Sequence, residues 1–524
     1  MTHMKNAIAM LTLTAGLALP AMAEDGPSLS DRVLQASLKQ VFPNGAGPQG
    51  GSPDAGPDVI VGELHSSQSS NGSMNVTIAT SSSTATHVAY GIGTTSCNVG
   101  TVNLNWISNT PNHPIIPQNL YRVTTGTNSR IVQLGQSWCK FAFTALTFNA
   151  CSNEGFTCNG AGGAVLGVGC SDPYTASRNA TQSTLGPRFT ANPFTGAFPD
   201  GNSAWRTANW VPAVSSGMDR RLRVAKADID AGGLFFTEAA YLTPDDAAAG
   251  NGKNNTSYRR TTIAAGTYTM TLTDSTVRRQ PAIYAWKAHG LGLNTPDNSI
   301  TISEVNALGG TPADGWLVIA SKATQINATT WHYEYAMENL NSDRMGGSLT
   351  IPIAAGTNIS NAVWRGVDSH SGFPAEDATR NEAWRVVIGA TSVSCQALTP
   401  YNAGTPTLGN GLRWATMYNF SFDCNKPPVA GQATLGFYKP GTPASVSGAA
   451  WVPDPAVTGS TCYANCDGST IVPFLNVNDF TCFTNLFAAG SSLANCDGSS
   501  TIPVLNVNDF TCFLNSFAAG CSAP

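Results

Sequence analysis

The chain has 524 residues, only 11% of them charged, with 52 glycines and a formal net charge of −5. Nothing in it is basic enough for a nucleic-acid footprint, which removes nucleic acid from the candidate partners. Beyond the first 23 residues no apolar run approaches the ~20 residues that a spanning helix needs, so no membrane span is expected.

Residues 1–23 read MTHMKNAIAMLTLTAGLALPAMA, with Lys5 ahead of an apolar stretch and Ala21-Met22-Ala23 at its end. Positive n-region, apolar core and small-x-small site together predict a secretory signal peptide cut before Glu24. The 13 cysteines agree, since disulfides belong to an oxidising compartment. The expected location is secreted, extracellular or at the cell surface. Segment 24–57 holds one short amphipathic helix over 28–42, with Val33, Leu34, Leu38, Val41 and Phe42 on one face, then a Pro/Gly linker over 43–57.

Residues 58–290 show short β-branched runs broken by turns, at 58–62, 75–79, 130–134 and 267–273. Segment 137–146 is more apolar and fits a buried strand or a short helix. Cys151 and Cys158 are close enough in sequence to staple a loop; Cys97 would then pair with Cys170 and leave Cys139 as a buried thiol. Asp172 and Asp200 stand among turn formers, where turn chemistry accounts for them. The pairs Arg220-Arg221, Arg259-Arg260 and Arg278-Arg279 read as exposed charges at strand ends.

Residues 291–445 form a second β region. Segment 331–338 puts Trp331, Tyr333, Tyr335 and Met337 on one face and His332, Glu334 and Glu338 on the other; 412–424 alternates similarly. Such strands belong to half-buried antiparallel sheets of a sandwich. Cys395 and Cys424, the cysteines of this region, are expected to bridge. Residues 446–460, rich in Pro, Ala, Gly and Ser, read as the linker to the tail. The predicted fold class is therefore an all-β body of antiparallel sandwich domains, followed by a small helical module.

That module, 461–524, contains one unit twice. Residues 464–490 and 494–520 repeat with an offset of 30 and no gap, sharing Asn-Cys-Asp-Gly and Leu-Asn-Val-Asn-Asp-Phe. A fixed period of this kind marks duplicated structural units. Each begins with an oxygen-rich turn and continues with phenylalanines at i, i+3 and i+7 (Phe480, Phe483, Phe487), one face of a short helix. Asn476 is positioned as N-cap, with Asp479 in the first turn. Four Asp and no Lys, Arg or Glu occupy the tail, so it carries most of the net charge.

These residues resemble a dockerin of the cysteine-containing type, a paired loop–helix module that plugs into a cohesin domain. The resemblance covers 461–524. It implies calcium as cofactor, held by Asn465, Asp467, Asn476 and Asp479 in the first repeat and by Asn495, Asp497, Asn506 and Asp509 in the second. Two departures stand out: the first ligand position falls on Tyr463 and Leu493, which carry no carboxylate, and the stretch from Gly468 to Asn476 is longer than the family loop. Repeat symmetry suggests the disulfides Cys466–Cys482 and Cys496–Cys512, with Cys462–Cys521 clasping the ends, although six cysteines allow 15 pairings. Thr484, Asn485, Leu514 and Asn515, which follow the apolar helix positions, are the expected partner contacts.

Upstream, Tyr333-Glu-Tyr-Ala336, residues 339–344 and residues 435–441 resemble a β module that precedes such tails in secreted bacterial proteins, a resemblance that implies no activity. No Gly-x-Ser-x-Gly elbow, His-Glu-x-x-His or phosphate loop occurs. His332 with Glu334 would need a third ligand to bind a metal. Asp368, His370, Glu376, Asp377, Asp343 and Arg344 are the remaining polar cluster, suited to calcium or sugar. Two functions follow. One is a non-catalytic surface or matrix protein anchored by its tail to a cohesin-like protein or cell-surface scaffold, with polysaccharide as a further partner. The other is an extracellular carbohydrate-active enzyme delivered by the same tail.

Overall fold

The computed structural model describes residues 54–520 apart from 109, 142–143, 152–153, 183–184, 199–216, 369–380, 406–408, 456–462, 468–472 and 474. The expected signal peptide, the 28–42 helix, most of the 43–57 linker, Asp200, His370, Glu376, Asp377, Cys462 and Cys521 lie outside the described residues.

The body is mostly β, in antiparallel sheets, with short helices at Ala176–Asn179, Lys226–Asp230, Pro244–Ala248 and Ile283–His289 among the described residues. Its first unit contains β1 (Val59–His65), β2 (Thr77–Ile78), β3 (Gly93–Asn98), β4 (Gln118–Thr124), β5 (Arg130–Gln136), β6 (Ser171–Tyr174), β7 (Leu234–Ala240), β8 (Thr256–Ile263) and β9 (Met270–Leu272), with shorter strands between. A six-stranded sheet runs in the order β5-β4-β7-β8-β9-β2, and a three-stranded sheet in the order β1-β3-β6. Val59, Val61, Leu64, Val88, Leu120, Leu134, Leu222 and Met270 fill the core between them. The ambiguous 137–146 segment supplies a strand, Cys139–Phe141, not a helix. A short helix α1 (Ile283–His289) then buries Trp286 and leads into the second unit.

The second unit is a sandwich of two five-stranded sheets. It comprises β10 (Thr301–Ala307), β11 (Asp314–Asn327), β12 (Thr330–Asn339), β13 (Gly346–Pro352), β14 (Ile359–Arg365), β15 (Arg385–Ile388), β16 (Ser392–Gln396), β17 (Thr416–Cys424), β18 (Pro428–Phe437) and β19 (Ser445–Pro453). The sheet orders are β10-β11-β12-β17-β14 and β15-β16-β13-β18-β19. The alternation read in 331–338 and 412–424 holds: Tyr333, Tyr335, Met337, Tyr418, Phe420 and Phe422 all enter the shared core.

The structure corrects four expectations. Residues 446–453 are not linker but part of β19, paired along β18. Their small side chains are a packing requirement: a Cβ on Gly448 would come within 2.7 Å of Ser303 Oγ and 2.9 Å of Val305 Cγ1 on β10. Cys395 and Cys424 are unbridged and buried. They sit on opposite sheets of the sandwich, and facing sheets lie ~10 Å apart, beyond the ~7 Å Cα limit for a disulfide. Cys151 pairs with Cys97, and Cys158 with Cys170. Cys151 joins Ile60, Cys97 and Val99 in a small core, while the loop after Cys158 doubles back through Asn159 N–H to Val168 O (3.0 Å) and delivers Cys170. The free Cys139 is buried, as expected.

The fourth correction concerns charge. Arg259 and Arg278 are buried. Arg278 bridges Glu154 (2.6 Å) and Glu63 (2.8 Å), Arg279 meets Glu154 at 3.0 Å, and Arg259 lies 3.7 Å from Glu63. These arginines tie β1, the 151–158 turn and the end of β8 together. Arg220 is also buried, with its guanidinium 4.9 Å from the Trp138 ring centroid.

The tail contains helices α2 (Val477–Ala488) and α3 (Val507–Ala519). Both are fixed by sequence in the same way. Asn476 and Asn506 cap them, and Asp479 and Asp509 complete a capping box by accepting the cap residue's N–H. The disulfides Cys466–Cys482 and Cys496–Cys512 tie each turn to its own helix, as repeat symmetry suggested. Among the described residues, no helix is long and apolar enough to cross a membrane.

Candidate functional site

Two places gather chemistry: the seam between the β units and the repeat module. The seam exists because the sheet containing β12 is covered on both sides. Its inner face faces the sandwich core; on the other, Val318, Ala320, Ala336 and Met417 pack with Tyr121, Val123, Ile131, Phe236 and Trp286 of the first unit. The polar alternate face of β12, expected in solvent, is therefore buried, with Glu334 and Glu338 only 2% and 1% exposed.

Burying that face requires partners for every polar group. Glu334 takes Arg130 (3.1 Å) and Asn419 Nδ2 (3.1 Å). Met417 N–H donates to Gln133 Oε1 and Asn419 Nδ2 to Ile131 O, each at 2.7 Å. Lys322 pairs with Asp297 (2.7 Å) and donates to Gly126 O (3.1 Å) and Ser129 Oγ (3.0 Å). The register of β12 on β17 sets His332 opposite Asp423, with Nδ1 at 2.6 Å from Oδ1 and Nε2 at 3.5 Å from Glu334 Oε2. Burial opposes charging this ring, but its bonds to Glu334 and Asp423 prevail and raise its pKa. The third group beside His332 and Glu334 is thus Asp423, and the two carboxylates favour the protonated ring. An imidazolium has no lone pair to offer a metal.

The remaining polar candidates separate. Asp343 pairs with Lys439 at 2.8 Å, whereas Asp368 approaches Arg223 at 3.9 Å. Arg344 is buried with its guanidinium 4.0 Å from the Phe437 ring centroid, and its Nε donates to Lys439 O (3.3 Å). Gly441, at φ 158°, lies where a Cβ would come within 2.7 Å of Arg344 Cζ. The two sequence motifs at 339–344 and 435–441 are therefore halves of one structural corner. Asp172 is buried and bonded by Leu146 N–H (3.1 Å), and burial pushes its carboxyl up to about 7. A small recess of about 20 Å³, room for about one water molecule, opens at the seam beside Trp138, Arg188, Phe189, Asn410, Arg413 and Tyr418; its described lining has no carboxylate.

In the repeat module the phenylalanines build the core. Phe483 stacks on Phe513, with centroids 4.3 Å apart and planes at 11°. Phe480 meets Phe517 at 4.7 Å and Phe510 meets Phe487 at 4.6 Å. Exchanging the repeats turns each of these contacts into another of the set, so the two units are related by a local two-fold between Phe483 and Phe513. Thr484, Asn485, Leu514 and Asn515 all lie on the exposed sides of the helices, as the sequence placed them. Val477 (74% exposed) and Val507 (73%) sit about two turns N-terminal to them, and Leu514 is 49% exposed.

The residues matched to calcium positions are largely engaged in holding the turns. Asn476 and Asn506 accept N–H groups of their own helices (2.8 Å each). The Asp479 oxygens accept from Asn476 N (2.8 Å) and Asp467 N (3.2 Å); Asp509 does the same with Asn506 N (2.8 Å) and Asp497 N (3.3 Å). Among the described residues no group of three His, Cys, Asp or Glu is disposed to hold a metal. In the second repeat, however, Asn495 Nδ2 donates to Ser499 O while its Oδ1 is buried without a hydrogen-bond partner. With the spare lone pairs of Asp497 and Asp509, that oxygen is a donor suited to a hard cation.

Sequence reasoning did not find Asn119, Tyr121, Arg188, Glu238 or Asp423, which are built into the seam. Each has a defining partner 69 to 296 residues away, so no local spacing could carry the signal. Compared with known proteins, the chain matches no family model and no curated sequence.

Proposed function

We propose that the chain is an exported, non-catalytic surface or matrix protein whose β body is presented by a dockerin-like C-terminal module, with a cohesin-like domain or cell-surface scaffold as its partner. The two-fold pair of helices carries this reading. A disulfide-stapled core of stacked phenylalanines holds two similar outer faces, Val477-Thr481-Thr484 and Val507-Thr511-Leu514. Their exposed apolar residues have no role in the module's own core, as expected of a surface that is covered by a partner. Four disulfides among the described residues fit an oxidising compartment. The seam acids also favour a structural body: Glu238 and Glu338 are both 1% exposed and so sealed from any polysaccharide.

Calcium belongs to this reading as a weak ligand of the turns, drawing on Asn495, Asp497 and Asp509 in the second repeat and their equivalents in the first. Immobilised full-length chain should capture a surface component of the source cells, and Val507→Asp with Leu514→Asp should abolish that capture while leaving the far-ultraviolet circular dichroism spectrum unchanged. Equal capture by the double variant would reject the helix faces as the docking surface. Calorimetric titration with calcium chloride should show weak binding that is reduced in Asp497→Ala; no heat in the wild type would remove the metal from the proposal and leave docking untouched.

A further inference from the structure

The seam between the two β units holds two facing glutamates and a single balancing cation. Glu238 of β7 and Glu338 of β12 face each other, each 1% exposed. Glu238 is surrounded by donors: Asn119 Nδ2 at 2.8 Å, Tyr121 Oη at 2.9 Å and Ala282 N–H at 2.7 Å. Glu338 is poorer. Its Oε1 lies 3.2 Å from Tyr121 Oη, and its other contacts are with the Ile283 N–H and with Glu238 itself, a contact that requires a proton between the two carboxyl groups.

Counting protons decides which form is present. Tyr121 has one hydroxyl hydrogen and cannot donate it to both carboxyl groups. The charges that face the pair from each surrounding element are few. Arg188 donates to Asn119 Oδ1 (3.0 Å), Ser137 O, Ala415 O and Gln118 O, and its charge reaches Glu238. Gln133 from β5 contributes only an amide. The start of α1 contributes the N–H groups of Ala282 and Ile283, and Tyr284 directs its neutral hydroxyl to Glu304 (2.8 Å). One guanidinium cannot balance two carboxylates in an enclosed site.

We propose that the two β units are latched by one proton: Glu338 is a neutral carboxylic acid beside ionised Glu238, and removing that proton loosens the seam. Burial first, and the Glu238 charge second, hold the Glu338 carboxyl well above the usual range. Because the folded chain keeps a proton that the unfolded chain releases above about pH 4.3, the latch is tightest in acid and weakens as pH rises towards the folded pKa. The body is thereby an alkaline-sensitive assembly, joined most firmly in acidic surroundings.

The test compares the full-length wild type with Glu338→Gln, whose amide keeps the shape of the neutral acid. Urea unfolding is followed from pH 5 to 9. The ratio of wild-type to variant unfolding constants should rise with pH, by up to about tenfold per unit; a ratio that stays flat would overturn the latch. Should the variant fail to fold, infrared spectroscopy of the wild type decides alone. A carboxylic-acid carbonyl band beyond that of Asp172 should persist well above the ordinary glutamate range, and its absence would equally overturn the proposal.

Discussion

Replacing Glu154 by Gln removes one carboxylate from a buried group of three arginines and two glutamates. Glu154 is 4% exposed and bonds Arg278 at 2.6 Å and Arg279 at 3.0 Å. The variant leaves Arg259, Arg278 and Arg279 sharing Glu63. Losing one partner of a buried ion pair costs about 3–5 kcal/mol, because the other charge stays buried. The Arg279 side chain, 26% exposed, regains part of its solvation, which points to the lower half of that range. For a body of about 400 residues melting as a unit, the entropy of unfolding is roughly 0.8 kcal/mol per degree, so Tm falls by about 4–5 °C. Differential scanning calorimetry reads this directly. Arg260→Ala is the control: its partner Asp274 has a side chain 50% exposed, and loss of an exposed pair costs under about 1 kcal/mol. A drop of less than a degree for Glu154→Gln, or one no larger than the control, would refute the buried network and restore these arginines to the surface.

Four further outcomes are expected. Asn506→Ala removes the cap of α3 and should weaken the tail by about 1 kcal/mol, seen as an earlier loss of tail helicity by circular dichroism. Alkylation in denaturant without reductant, followed by mass spectrometry, should label Cys139, Cys395 and Cys424, and joint replacement of Cys466 and Cys482 by Ser should destabilise the first repeat by roughly 3 kcal/mol. His332 stabilises the fold through its protonated form, so its contribution is complete below about pH 6.5 and is lost as pH rises through the elevated folded value; in His332→Gln that part of the pH dependence of the urea midpoint should vanish.

Local patterns were legible and long-range ones were not. The alternation in 331–338 and 412–424 identified strands and their core faces, because period two is a property of a single strand. It could not say that the other face was covered, since that depends on a first unit more than a hundred residues upstream. The arginine pairs misled for the same reason. The Asn-x-x-Asp spacing of the tail gave both the caps and the turn, as a capping box is complete within four residues. Cysteine pairing followed sequence where a repeat enforced it, at Cys466–Cys482 and Cys496–Cys512, and failed in the body, where strand order decides which sulfurs meet. Small residues in 446–453 resembled a linker because close packing and flexibility favour the same amino acids.

That last strand sets an upper bound on the separation of tail and sheet. With β19 ending at Pro453 and the described part of the tail resuming near Tyr463, the intervening chain of nine residues, 454–462, reaches at most about 30 Å even when fully drawn out. On the docking proposal, a partner bound by the tail would lie within one body's breadth of β19. The sheet beside it would then meet the gripped surface at the high effective concentration of a short leash, and weak contacts there would count as if they were strong.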